Sequence, residues 1–422
     1  MNTIAATDSL TTDFAGQRSR LFKLAMVTAF WTVLTLGFYR FWMKSRLRRW
    51  YWSSIRPGGM PLEYVGDPFE KLLGFFMAVV IMAFYIGVVN LILMFASLSL
   101  FASNVAAYSA SFIGVIPVWF FARYRARRYV LARTRWRGVR FGLEPGAWGY
   151  AARALWHWFV TLATLGILWP RKTFYLEKYR TDRTVFGSVT LHQGGTWTML
   201  MPAFIHVLIG GFFTIGFGLE IMFQESNASF QPSGDVTLPA GAGRGTEPMS
   251  HAWAFVLTVP WFLYGLIHYN VQSKRILAAH KSAGDVTLKA EPHVGTVARI
   301  YVFGYLATIL ISLLPVVPIT VLIGLIEFRK NTAAFDSTVD PDLILGVPTF
   351  VWTVLGITAY FAILLLWSVL RHCFVTMPIW RHYAETLTIL NADGLSDISQ
   401  KQRDDFREAE GFAEALDLWG AI

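Results

Sequence analysis

LAMVTAFWTVLTLGFYRFWMKSRLRRWYW, residues 24–52, joins an apolar run directly to a basic, aromatic-rich one. The apolar part, 24–38, falls short of the roughly 20 residues a helix needs to cross a bilayer. The rest carries Arg40, Lys44, Arg46, Arg48 and Arg49 among Trp and Tyr side chains, a composition suited to headgroup depth. The same alternation recurs along the chain. Six apolar runs, about 72–100, 107–121, 200–223, 251–269, 300–326 and 349–370, read as membrane spans. Two shorter ones, 24–38 and 154–169, do not. With six crossings, 34 of the 37 Lys and Arg fall on one face, and only Arg244, Arg329 and Lys330 fall on the other. If the two short runs also crossed, the tally would be 18 against 19, and the bias would vanish. Lys and Arg stay in the cytoplasm because translocating them is unfavourable and the inner leaflet is anionic.

The expected fold is therefore mainly α. It is a polytopic helical membrane protein with about six spanning helices and two short re-entrant or interfacial helices on the cytoplasmic side. A spanning first segment is the alternative; it would move only Arg18, Arg20 and Lys23 outside. Composition agrees with a membrane protein: 55% of the 422 residues are hydrophobic, 15% are charged, and there are 34 Phe and 17 Trp. The net charge of +10 sits beside apolar spans, so anionic phospholipids of the bilayer are the expected partner rather than nucleic acid. A single cysteine, Cys373, leaves no internal disulfide and no Cys-based metal site. The first 20 residues lack an apolar h-region, so no cleavable signal peptide is expected.

The short apolar runs also carry a repeat. Residues 28–66 align without a gap on 157–195, and Thr32, Thr35, Leu36 and Gly37 match Thr161, Thr164, Leu165 and Gly166. Thr28, Thr32 and Thr35 in one copy, and His157, Thr161 and Thr164 in the other, fall on one helical face. Such a face lines a cavity or lets two helices pack closely. After each basic segment comes a short alternating stretch: MPLEYVGDP, RGVRFGLEPG, FGSVTLHQGG, GDVTLKAEP and ETLTILNADG. These read as short β-strands in the basic cytoplasmic loops, pairing into one sheet or docking separately. The expected division is a polar tail at 1–20, a first membrane half at 21–152, a second at 153–390, and an acidic amphipathic tail at 391–422.

Functional candidates follow from cost. An ionisable group at membrane depth is expensive, so His206 and His268 are candidates for a substrate or proton pathway. Asn90 joins them, as do Pro315 and Pro318, which would interrupt one span. Arg46, Arg48, Arg49, Arg125, Arg127 and Arg128 are candidates for binding anionic lipid or another phosphate headgroup. No P-loop, zinc motif or nucleophile elbow occurs, so neither enzyme activity nor a cofactor or metal is expected.

The run TLGFYRFWMKSRLRRWYW followed by LEYVGDPFEKLLGFF resembles the YjgN-type family of bacterial inner-membrane proteins. The second TLG copy departs from that pattern at Ile167, Leu168, Trp169 and Pro170. The resemblance implies a multi-pass protein of the bacterial inner membrane and brings no catalytic residues with it. Two functions stay open: a transporter or channel for a small, perhaps anionic, solute, and a non-enzymatic scaffold that binds anionic lipid. In both, the C-terminus is expected in the cytoplasm.

Overall fold

Ten short strands form one antiparallel sheet, and every helix hangs from it. The computed structural model describes residues 9–96 except 90 and 93, 104–229, 252–324 except 316, 319, 322 and 323, and 349–400. The strands are β1 (Ser9–Phe14), β2 (Ile55–Pro57), β3 (Leu62–Tyr64), β4 (Thr134–Trp136), β5 (Val139–Leu143), β6 (Thr184–Phe186), β7 (Val189–Gln193), β8 (Lys281–Ala283), β9 (Val286–Ala290) and β10 (Leu387–Leu390). Their order is β2-β1-β10-β9-β8-β7-β6-β5-β4-β3. The two end strands, β2 and β3, are consecutive in the chain and joined by residues 58–61. The ring thus closes through a tight turn rather than a ladder.

Three strand pairs, β4–β5, β6–β7 and β8–β9, are hairpins continuous in sequence, and a fourth, β2 with β3, is joined by its turn alone. The β4–β5 turn has Arg137 at φ 54° and Gly138 at φ 78°. Two positive φ values in a two-residue loop match the right-handed twist of the flanking strands. The fifth pair is split between the ends of the chain: Ser9, Leu10 and Thr11 of β1 face Leu390, Ile389 and Thr388 of β10. Residues 1–20, expected as a polar tail, therefore include a central strand. The alternating stretches of the sequence supply the second strand of each hairpin. The three-residue first strands carry no such signal, because three residues are too few to show a period of two.

Between strands lie helical hairpins. The first pairs α1 (Arg18–Leu34) with α2 (Arg40–Ser54), and the second joins α3 (Pro68–Phe84) to α4 (Asn104–Ala132). Next come α5 (Ala147–Ala163) with α6 (Trp169–Thr181), then α7 (Met201–Ser229) with α8 (Ala252–Ala279). Finally α9 (Val294–Leu313) is followed by α10 (Thr349–Arg371), a π-helical turn and α11 (Met377–Glu385). Each hairpin starts and ends on the same sheet, so each can cross a bilayer only an even number of times.

Length decides which hairpins can cross. Among the described residues five helices are long and apolar enough: 68–96, 197–223, 253–279, 294–313 and 356–385. This makes the chain a membrane-embedded protein, and the five helices match five of the six expected runs. The sixth expected run, 107–121, lies in α4, which continues into Arg123, Arg125, Arg127 and Arg128. The call at 300–326 is shortened, since α9 ends at Leu313 and Pro315 lies just beyond it. By contrast α1 and α5 have 17 residues each, or about 25 Å at 1.5 Å per residue.

Both short hairpins turn through the TLG triplet in the same way. Gly37 N donates to Thr32 O at 2.7 Å, and Gly166 N donates to Thr161 O at 2.7 Å. The glycines have φ 95° and 88°, and the preceding Leu36 and Leu165 have φ 51° and 49°. A left-handed leucine costs about 1–2 kcal/mol, yet these two side chains are 85% and 93% exposed at the tips. The polar stripe behind the tips faces inward: Thr28 and Thr161 are buried, with His157 beside them. Thr28 Oγ1 donates to Leu24 O at 2.8 Å and Thr161 Oγ1 to His157 O at 2.6 Å. These hydroxyls are satisfied within their own helices, as close helix packing requires.

The turns of the continuous hairpins all lie at the end of the ring away from the helices. In a Cys373→Ser background, single cysteines at Met60, Ser188 and Asp285 should react with a membrane-impermeant thiol reagent from one side only. Labelling of any one from the opposite side to the others would contradict this topology.

Candidate functional site

The layer where helices meet the ring concentrates the chain's charge, and its hub is one carboxylate. Glu177 sits on α6, one turn before Arg180, so the helix itself sets the pair. Arg180 Nη2 donates to Glu177 Oε2 at 2.6 Å, and Lys281 Nζ, at the start of β8, donates to Glu177 Oε1 at 2.7 Å. Arg127 of α4 completes the group electrostatically. Burial alone would raise the Glu177 carboxyl, but Arg180, then Lys281 and Arg127, outweigh it and hold it well below the usual carboxylate range. Burial and then Arg180 lower the Arg127 guanidinium, and its buried Nε has no hydrogen-bond partner among the described residues. Three cations thus share one carboxylate. Glu177 ties a helix to a strand that follows it by about a hundred residues, and no sequence motif marked it.

A second buried cation sits in an aromatic slot. Lys172 Nζ lies 3.6 Å from the centroid of the Trp158 ring and 3.2 Å from that of Trp169. Burial first, with Arg123 adding to it, lowers its ammonium to about 8. Nearby, the His157 ring stacks on Tyr175 with centroids 5.0 Å apart.

The arginines singled out in the sequence do not converge on one point. Arg48 is buried and donates to Tyr64 Oη at 3.2 Å, while Arg49 Nη2 donates to Gly66 O at 3.0 Å. Both tie α2 to the end of β3 and the turn after it. Arg46 is exposed, with its guanidinium 5.7 Å from the Tyr39 ring centroid, and Arg125 lies 5.6 Å from that of Phe121. Arg128 lies on α4 beside Tyr124, and Arg127 belongs to the Glu177 group.

The histidines do meet. His206 on α7 and His268 on α8 have ring centroids 4.8 Å apart at 78°. The helices approach closely there because Gly265 has no side chain: a Cβ would lie 2.8 Å from the His206 carbonyl carbon. The His268 imidazole Nδ1 is 3.2 Å from Ala203 O, and His206 Nδ1 has no partner among the described residues. Asn90 lies outside the described residues. Pro315 lies in the turn at 314–315 that ends α9, Pro318 lies in the helical residues that resume at 317, and both are far along the chain from the His pair.

An open groove of about 350 Å³ runs between α1, α9 and the π-helical turn. Arg18, Thr296 and Arg299 line it together with Ile300, Phe303 and Phe374. Among the described residues neither Arg18 nor Arg299 has a carboxylate at ion-pair distance. Sequence reading missed this groove because its walls come from opposite ends of the chain.

A family model described as "Bacterial protein of unknown function (DUF898)" matches residues 9–415. The chain belongs to this family. The match starts at the first residue of β1, so it takes in the strand that unites the chain ends. No curated protein and no solved structure matches the chain. Within this DUF898 protein, no cluster of three or more metal-ligating side chains occurs among the described residues.

Loss of the hub carboxylate leaves buried cations facing one another. Glu177→Gln should destabilise the protein by about 3–5 kcal/mol, the usual cost of breaking one side of a buried pair. A carboxyl with a depressed folded pKa stabilises above its unfolded value, near about 4.3, and that stability is lost as pH falls through the folded value. Thermal unfolding should therefore show wild-type stability falling below about pH 4, and the Gln variant should lack this component.

Proposed function

We propose that this protein is a non-enzymatic scaffold of the bacterial inner membrane that holds anionic phospholipid where its helices join the ring. The groove between α1 and α9 carries the reading. Its exposed Arg18 and Arg299 stand above a wall of Ile300, Phe303 and Phe374, which is the polarity profile of a phospholipid at the interface. Charge-assisted bonds from a guanidinium to a phosphate suit the mouth, and the side chains beneath suit an acyl chain. The Lys and Arg bias supports a cytoplasmic ring and, through the β1–β10 pairing, cytoplasmic chain ends. The exposed leucines of the two TLG tips support hairpins that dip into one leaflet. The matching turns also support an internal duplication, and the YjgN-type resemblance fits the same inner-membrane setting.

Transport is the second reading, and the facing rings of His206 and His268 are what favour it. Two facing imidazoles on neighbouring spans suit a proton relay. The apolar interior of the ring weighs against a route along its axis. Under this reading His206→Ala would abolish proton-coupled uptake at unchanged membrane abundance. Wild-type uptake in that variant would remove the histidines from any pathway.

Native mass spectrometry tests the lipid groove. The wild type should retain a stoichiometric anionic phospholipid, and Arg18→Glu with Arg299→Glu should lower its occupancy about tenfold or more, given about 1.5–3 kcal/mol for a hydrogen bond to a charged group. Inorganic phosphate should not displace it, since phosphate lacks the chains. Equal retention by wild type and double variant, with helical content unchanged, would refute the assignment.

A further inference from the structure

We infer that the lumen of the ring is a second ligand site, independent of the lipid groove, which takes a single apolar chain bearing an anionic head. Inward-facing residues from nine of the ten strands enclose a cavity of about 230 Å³. Its walls include Leu62, Trp136, Phe141, Phe186, Leu191 and Leu288. A ring of eight strands is just wide enough to be filled by side chains or to hold one small ligand. Ten strands leave more room than these side chains occupy. The cavity exceeds the about 150 Å³ at which an apolar cavity stays dry and takes up benzene. The walls are almost wholly apolar, so water finds few hydrogen-bond partners there and an apolar occupant is favoured.

The two ends of the lumen differ. At the turn end, residues 391–400 cross beneath the ring and place Leu395 and Ile398 inside it. Asn391 Nδ2 donates to Asp285 O at 3.1 Å, Arg140 N to Gln400 Oε1 at 2.8 Å, and Ser399 N to Ser188 Oγ at 3.3 Å. This strap spans three β-hairpins and forms an apolar floor. At the helix end the lining changes to Lys281 and Ser282. The Lys281 ammonium belongs to the Glu177 group, where Arg127, Arg180 and Lys281 share one carboxylate. Lys281 and Ser282 place the hydrophilic lining at this end, where an anionic head would sit, while the floor end accepts only hydrocarbon. A medium-chain fatty acid meets both conditions, and so does one acyl chain of an anionic lipid.

The experiment uses the full-length protein in nanodiscs with decanoic acid carrying a chain-terminal diazirine. Photolabelling should saturate and map to Trp136, Phe186, Leu191 or Leu288. Decanoate should compete at least tenfold better than decanol, and acids of increasing length should compete about fourfold better per methylene until the lumen is full. Ala283→Trp, which fills the lumen, should remove the label. Lys281→Met should weaken competition by decanoate about tenfold and leave decanol unchanged. If a phospholipid with the diazirine on one chain labels these residues and the free acid does not, the site stands and its chain belongs to a membrane lipid. Labels confined to α3, α7 and α9, or undiminished lumen labelling in Ala283→Trp, would overturn the inference.

Discussion

Pairing of β1 with β10 is the constraint on which the rest of the molecule depends. These strands lie near opposite ends of the chain, and their ladder unites the two arcs of a ten-stranded sheet. Closure then dictates the helical architecture, because every segment between strands must leave the ring and return to it. Long segments become pairs of apolar helices, and short ones become the TLG hairpins. An open sheet would leave unpaired edges and a wet, unstable interior. Rolled so that β2 meets β3 through their turn, the sheet instead encloses an apolar interior and has a single charged end.

That charged end explains how so many cations are accommodated. Aromatic rings take several of them, as Trp158 and Trp169 take Lys172 and Tyr64 takes Arg48. Backbone carbonyls take others, as Gly66 takes Arg49. Glu177 alone serves Arg180, Lys281 and Arg127. The cations that remain at the surface, Arg18 and Arg299 among them, stand beside apolar helix faces. A molecule built this way presents two amphiphilic environments: a groove open to the surrounding lipid, and a lumen closed by the chain's own strap. Both set cationic side chains beside hydrocarbon walls.

Much of this was legible residue by residue. The TLG triplets marked the turns of the short hairpins, and the alternating stretches marked β3, β5, β7, β9 and β10. The first strands of the hairpins escaped because Thr134–Trp136 or Lys281–Ala283 is indistinguishable from a helix end without its partner. A signal was present in the two-residue turns, such as Arg137-Gly138 and Gly284-Asp285, flanked by apolar residues. The candidate arginines were identified as a class. Which of them are structural, like Arg48, and which face outward, like Arg46, depends on what the next strand brings alongside.

By itself the sequence determined the membrane setting, the clustering of Lys and Arg between apolar runs and the shortness of two hairpins. Each of these depends on local composition measured against the thickness of a bilayer. Only the tertiary structure decided that the strands make one ring, that His206 meets His268, and that Glu177 anchors Lys281. It also decided that residues 391–400 floor the lumen. These contacts join residues far apart in the chain. Short-range periodicity carries no information about them, because their stability comes from closing the ring as a whole.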